Sequence, residues 1–164
     1  MIRISRDPER RGGYLLDAET VVPRPLDEVF AFFADALNLE RITPPWLRFE
    51  VLTPAPITMF AGQVIDYRLR LHHVPINWRT EIAEWQPPWQ FVDTQRRGPY
   101  RWWQHTHWFE EVPEGTRCRD QVRYGVPGGA LAHTLLVRRD LEAIFRYRLQ
   151  AMHALLGSQA ALSA

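Results

Sequence analysis

Several ordinary features are missing from this sequence. Lysine is absent, so all 20 basic residues are arginine, a bias to which we attach no function. Cys118 is the single cysteine, which excludes an intramolecular disulfide and favours a reducing compartment, so we expect a cytoplasmic protein. No stretch approaches the ~20 apolar residues that cross a bilayer, and the first residues lack the apolar segment of a secretory signal.

The charge is also close to balanced. The formal net charge is +1 over 164 residues, of which 46% are hydrophobic. A nucleic-acid-binding chain carries a clear basic excess, so we expect neither a nucleic-acid partner nor a membrane span. The length favours one domain over residues 1–164, with a core from about residue 14 to residue 156. The composition leaves a homodimer open.

The hydrophobic pattern begins with a strand and then becomes helical. Tyr14–Val22 is rich in β-forming residues and predicts the first strand. Pro25 suits the first turn of a helix, and the acidic residues after it suit the positive end of the helix dipole. Apolar residues then recur at helical spacing, which predicts a helix over residues 25–35 and a short second helix over residues 37–42.

The rest of the chain changes period twice. Residues 46–124 alternate with period two between regularly placed prolines and glycines, which predicts six further strands. Residues 130–156 return to helical spacing, and we expect a frayed tail over residues 157–164. The predicted apolar stripe of this long helix comprises Leu131, Leu135, Leu141, Ile144, Phe145, Leu149, Met152 and Leu156. Arg148 and the other arginines of the helix are predicted to be solvated.

This order predicts an α+β fold. Short turns between successive strands imply an antiparallel meander. A long amphipathic helix must bury its apolar stripe against something. We therefore predict a curved seven-stranded antiparallel sheet wrapped around a long C-terminal helix, with two short helices after strand 1. The hollow between sheet and helix would be a natural ligand site.

Several short segments carry a resemblance to a known group of proteins. They are Pro23-Arg24-Pro25-Leu26-Asp27-Glu28-Val29-Phe30, Ile42-Thr43-Pro44-Pro45-Trp46, Trp85-Gln86-Pro87-Pro88, Phe91-Val92-Asp93 and Gly98-Pro99-Tyr100. In this order they resemble a bacterial branch, mostly of unassigned function, of the SRPBCC helix-grip superfamily, which includes START lipid-binding domains, pollen allergens, polyketide cyclases and aromatases. The resemblance implies a single helix-grip ligand-binding domain. It implies no catalytic motif, because the superfamily includes both binders and enzymes.

Residues 98–109 carry the most unusual pattern. Alternate residues of a strand share one face, so this strand places Arg101, Trp103, His105 and His107 on the same side. An apolar core has no need of imidazoles. This face therefore either lines a polar pocket or faces solvent.

Turn lengths predict which residues lie opposite the two histidines. A three-residue loop before their strand pairs Asp93 with His105, and a four-residue loop after it pairs Asp120 with His107. Arginines alternate with Asp120 along its own strand, which predicts that Asp120 points inward. A two-residue first turn would instead put Asp93 on the opposite face from the histidines.

These carboxylate–histidine pairs have three interpretations. They can be a buried polar strut, a group that recognises a ligand, or a catalytic acid–base pair. His105 and His107 also have the spacing of two metal ligands on a strand, with Asp93 or Asp120 as a third. Because no cysteine cluster or further histidine accompanies them, we expect no metal and no cofactor. Cys118 is interpreted as a small core residue rather than a nucleophile.

The predicted function is binding of a small hydrophobic or aromatic molecule in an internal cavity. Its predicted binding residues are Asp93, Trp103, His105, His107 and Asp120, with Tyr67, Trp78, Tyr124 and Phe145 as walls. The alternative is a polyketide cyclase-like or aromatase-like enzyme of cyclase or dehydratase type, in which His105 or His107 is the general acid–base. A third interpretation is an interaction module whose cavity is filled by its own side chains.

Overall fold

One antiparallel sheet forms the body of the protein. The computed structural model describes residues 1–157, so the predicted tail lies outside the described residues except for Gly157. Eight strands lie in the order β1-β2-β8-β7-β6-β5-β4-β3. The strands are β1 (Ile2–Arg6), β2 (Gly13–Val22), β3 (Glu50–Val51), β4 (Val64–Leu71), β5 (Val74–Gln86), β6 (Gln90–Arg97), β7 (Trp102–Val112) and β8 (Gly115–Gly125).

The sheet has one strand more than the seven predicted. The additional strand is β1, which pairs with β2 from Ile2 opposite Ala18 to Arg6 opposite Tyr14. It is an edge strand of five residues, none of which is fully buried. Its apolar pattern is therefore too short and too weak to be recognised from the sequence alone. The helix-grip architecture itself is as predicted.

The register around the histidines is confirmed. Asp93 lies opposite His105 between β6 and β7, and His107 lies opposite Asp120 between β7 and β8. The turn between β7 and β8 is tighter than predicted, because Val112 already pairs with Gly115. The tighter turn closes symmetrically about the same centre, so the predicted pairs along the two strands are unchanged.

Helices cover one face of the sheet. They are α1 (Leu26–Ala34), α2 (Asn38–Arg41), a 3-10 turn (Pro45–Leu47), α3 (Gly129–Ala132), a π-helical segment (His133–Val137) and α4 (Arg138–Leu156). α1 buries Val29, Phe30 and Phe33, which join a core cluster with Phe109 of β7 and Met152 of α4. No helix among the described residues is long and apolar enough to cross a membrane.

The start of the long helix differs from the predicted stripe. Leu131 is 70% exposed and Leu135 is 60% exposed, so the prediction that they pack on the sheet is wrong. The π-helical segment has a wider turn than an α-helix, and it changes which side of the helix meets the sheet. His133 is buried there instead of a leucine.

Candidate functional site

Five charged or titratable side chains meet inside the protein. β6 provides Asp93, β7 provides His105 and His107, β8 provides Asp120, and α4 provides Arg148. Four of them are buried and Asp93 is half-buried. Adjacent antiparallel strands bring same-face residues within reach of one another, and α4 closes the cluster from the opposite side. The inward face of the histidine strand is therefore the polar one.

Asp120 bridges both imidazoles, and Asp93 bonds to one of them and lies near the other. Asp120 Oδ1 lies 2.8 Å from His105 Nε2 and 2.9 Å from His107 Nδ1. Asp93 Oδ2 lies 2.9 Å from His107 Nε2 and 3.8 Å from His105 Nδ1. The prediction of one carboxylate for each directly opposite histidine therefore needs correction. His105 bonds chiefly to Asp120 and His107 bonds to both, because the side chains lean along the strand toward diagonal neighbours.

Arg148 completes the cluster, and its predicted solvation is wrong. Its side chain is buried and donates to both oxygens of Asp120, at 2.9 Å and 3.1 Å. Arg148 Nη2 also lies 3.4 Å from His107 Nδ1. The same Nδ1 lies closer to Asp120 Oδ1, at 2.9 Å. The sequence contains the signal, because Leu141, Phe145, Arg148 and Met152 follow one another at the spacing of a single helix face.

The electrostatics of the cluster follow from these contacts. Burial opposes ionisation of Asp120, but Arg148 and the two histidines hold its pKa well below the usual range. Burial also works against a charge on His107, yet hydrogen bonds to Asp120 and Asp93 outweigh it and raise its pKa. Burial and the neighbouring His107 lower the pKa of His105. Asp120 is therefore held in its ionised form, and the pKa values of the two stacked histidines shift in opposite directions.

A cavity of about 210 Å³ lies between the sheet and α4. Asp93, His105 and His107 line one part of it. Seven of the nine predicted binding and wall residues line it: Tyr67, Trp78, Asp93, Trp103, His105, His107 and Phe145. The volume is below the roughly 300 Å³ at which pockets for drug-sized ligands begin. It exceeds the ~150 Å³ of an apolar cavity that binds benzene.

Two predicted residues do not line the cavity. Asp120 lies behind the histidines and reaches the cavity only through them. Tyr124 is fully buried in the adjacent core cluster, where its hydroxyl lies 3.0 Å from His133 Nε2. Its assignment as a cavity wall is therefore wrong. Tyr124 does point inward as its strand pattern predicts, but the neighbouring Tyr100 and Trp103 stand between it and the open space.

The aromatic wall consists of residues from two hairpins. Trp78, Tyr100 and Trp103 pack around one another, with ring centroids 4.7 to 5.7 Å apart. Tyr100 was not among the predicted wall residues, because it lies in the loop before β7, where strand alternation gives no orientation. Burial raises the pKa of the Tyr67 hydroxyl and of the Tyr100 hydroxyl. Both therefore present neutral hydroxyl groups near neutral pH.

Cys118 lies away from this cavity in the core formed by α1 and the sheet. Burial raises the pKa of its thiol to about 12. A thiol that remains protonated at neutral pH is a poor nucleophile. Its interpretation as a core residue is therefore supported.

A family model described as polyketide cyclase / dehydrase and lipid transport matches residues 22–153. No curated protein matches the chain.

Solved structures of similar shape come from varied sources. CV1439 from Chromobacterium violaceum has a TM-score of 0.69 and 16% identity, over 88% of this chain and 99% of that one. The di-domain ARO/CYC StfQ from the steffimycin biosynthetic pathway has a TM-score of 0.70 and 17% identity, over 94% of this chain and 54% of that one. Ara h 8.0201 has a TM-score of 0.64 and 14% identity, over 88% and 97%. At such identities the similarity shows a shared fold alone.

Proposed function

This chain belongs to the polyketide cyclase / dehydrase and lipid transport family, and on that premise we propose that it binds a small one- or two-ring molecule carrying an oxygen substituent. The observation that carries the proposal is the composition of the cavity. Aromatic and aliphatic side chains form most of its lining, and Asp93, His105 and His107 are grouped at one place in it. Apolar walls with a few convergent polar groups are typical of small-molecule sites.

The walls suit a flat ligand. Trp78 and Trp103 meet edge to face at 5.4 Å, and aromatic pairs of this kind add about 0.5–1.5 kcal/mol beyond the area they bury. A ligand ring placed against them gains a similar contact. The polar group of the ligand then lies near His105, whose Nδ1 has no hydrogen-bond partner among the described side chains and lies 3.8 Å from Asp93.

The test uses 2-naphthol and naphthalene, which have the same rings and differ by one hydroxyl. Binding is followed by fluorescence titration in the presence of EDTA. We expect 2-naphthol to bind about tenfold more tightly than naphthalene, because its hydroxyl can hydrogen-bond to the polar residues of the cavity, Asp93, His105 and His107. Failure of both compounds to bind, or equal binding of the two, would contradict the proposal.

A matched pair of tryptophan variants locates the site. Trp103 lines the cavity, whereas Trp108 on the same strand points outward and donates to Gln90. Trp103→Ala should weaken 2-naphthol binding roughly three- to tenfold through the lost ring contact. Trp108→Ala should leave it unchanged. Equal losses in the two variants would place the binding elsewhere.

The geometry reduces the two candidate acid–base residues of the cyclase-like alternative to one. Both ring nitrogens of His107 lie 2.9 Å from carboxylate oxygens, so neither is free to meet a substrate. His105 keeps one ring nitrogen without a close partner. If the protein has such an activity, His105 is the residue whose replacement should abolish it.

A further inference from the structure

The two imidazoles of β7 form a stacked pair between two carboxylates. The ring centroids of His105 and His107 are 3.7 Å apart, and the ring planes are inclined by 32°. Asp120 contacts one edge of the pair, and Asp93 contacts the other edge. Each ring therefore has one nitrogen on the Asp120 side and one on the Asp93 side. The Asp120 side orients the rings, and the Asp93 side carries the other two ring nitrogens.

On the Asp120 side, a single oxygen holds both rings. Asp120 Oδ1 accepts from His105 Nε2 at 2.8 Å and from His107 Nδ1 at 2.9 Å. Arg148 fixes that carboxylate through two further hydrogen bonds. A carboxylate that accepts the outer N–H of a histidine sets its tautomer and ring orientation, which is the arrangement found behind metal-binding histidines.

On the Asp93 side, three donor atoms converge. The remaining nitrogens are His105 Nδ1 and His107 Nε2, and they lie 3.8 Å and 2.9 Å from Asp93 Oδ2. One ligand atom from each residue lies within 4.8 Å of the other two. Ligands about 2.1 Å from a tetrahedral metal ion are about 3.4 Å apart, a value between the two observed distances. Binding therefore requires one nitrogen–oxygen distance to shorten by about 0.4 Å and the other to lengthen by about 0.5 Å.

We propose that Asp93, His105 and His107 form a binding site for a divalent transition-metal ion, with Zn²⁺ and Fe²⁺ as the ions this donor set suits. All three residues line the cavity and Asp120 does not. The remaining coordination positions therefore face the cavity. The proposal departs from the expectation of no metal, which rested on the lack of a cysteine cluster or a further histidine near the pair.

The local charge indicates what would complete the coordination. Asp93 and Asp120 carry two negative charges, and Arg148 carries one positive charge. With both histidines neutral as ligands, a divalent ion brings the sum to about +1. An anionic oxygen such as a phenolate, enolate or carboxylate would restore neutrality. The metal site does not depend on the apolar ligand proposed above, and it is tested with the metal alone.

The test is titration of chelator-treated, dialysed protein with Zn²⁺ by calorimetry and with Co²⁺ by visible absorption. We expect one ion per chain. Asp93→Asn and His105→Gln should weaken binding at least about 100-fold, and Asp120→Asn should weaken it about 10- to 100-fold through misplaced rings. His133→Gln is the matched control, because His133 is also buried but contacts no carboxylate in the described structure. Its binding should be unchanged.

A second measurement needs no variant. The proton NMR spectrum of the Co²⁺-bound wild-type protein should show two strongly shifted, exchange-protected imidazole N–H protons. Each belongs to one of the two rings that donate to Asp120. Absence of stoichiometric binding in the wild-type protein would overturn the proposal. Unchanged affinity in folded Asp93→Asn, or retention of the Co²⁺ spectrum in both ligand variants, would overturn it as well. Circular dichroism establishes that each variant is folded, and if His105→Gln is not, Asp93→Asn and the wild-type spectrum decide.

Discussion

His133 and the pair formed by His105 and His107 are all buried, but their surroundings differ in charge. His133 stacks on Tyr14 with ring centroids 3.4 Å apart and meets the hydroxyl of Tyr124. The paired histidines stack on each other and are bonded to carboxylates at both edges. Burial by itself therefore gives a histidine a structural role. The carboxylates on both sides of the pair, together with the open cavity beside it, make the pair a candidate for a chemical role.

The pKa values of His133 and His107 shift in opposite directions. Burial and the arginines Arg6 and Arg138 lower the pKa of His133, because nothing anionic offsets them. His107 is buried as well, yet its carboxylate partners raise its pKa. Carboxylates therefore outweigh burial at His107, whereas burial and the neighbouring His107 outweigh them at His105.

The largest expected effect is on the carboxylate that holds the cluster together. Asp120→Ala leaves Arg148 and two imidazoles without their partner in the interior, and should lower the free energy of unfolding by about 3–5 kcal/mol. Asp66→Ala removes an exposed partner of Arg79 and should cost no more than about 1 kcal/mol. Urea denaturation in the presence of EDTA measures both. A loss below about 1 kcal/mol for Asp120→Ala would show that the cluster does not stabilise the fold.

The next effect compares the two histidine environments directly. His107→Phe leaves oxygens of Asp93 and Asp120 short of a donor and should cost about 2–3 kcal/mol, because hydrogen bonds to charged groups are the stronger ones. His133→Phe keeps the stack on Tyr14, loses one neutral hydrogen bond and should cost about 1 kcal/mol. Thermal and urea unfolding provide the values. Equal costs for the two variants would remove the distinction drawn between these environments.

The smallest effect is the titration of His133. Because its pKa is lowered in the folded protein, the unfolded chain binds the proton more readily. The stability this neutral imidazole contributes is therefore complete above its unfolded value of 6.5 and is lost as the pH falls below it. The groups around His133 are the rings of Tyr14 and Tyr124, which contact it, and the side chains of Arg6 and Arg138, whose charges lower its pKa.

The measurement is the ring-proton resonance of His133 in an NMR titration, assigned by its absence in His133→Phe. The midpoint should lie below 6.5. A midpoint above that value would mean that a carboxylate reaches the ring in solution and that the two environments are alike.

The regions that could be predicted are those governed by local pattern. Alternation along β8 places Cys118 and Asp120 inward, because a strand reverses its side chains at every residue. Turn lengths give the pairing of Asp93 with His105, because an antiparallel register is fixed once a turn is fixed. The positions that failed are those where a turn, an edge or an irregular helix replaces the regular pattern.

Arg148 and Leu131 show this failure from opposite directions. Residue type predicts a solvated arginine and a buried leucine, and the structure has the reverse. Arg148 is buried because it forms an ion pair with Asp120 across the interior. Leu131 is exposed because the π-helical segment after it changes the face that meets the sheet. Neither cause is visible in a window of neighbouring residues.

The sequence by itself determined the order of strands and helices from β2 onward, the strand faces and the pairing of the histidine strand with both acidic neighbours. These depend on the periods of helices and strands and on the length of turns, which are properties of short segments. Only the tertiary structure decided that one carboxylate holds both imidazoles, that Arg148 of α4 closes the cluster and that Asp93 faces the cavity. Those contacts join residues 13 to 41 positions apart in the chain, and their geometry exists only once the helix lies across the sheet.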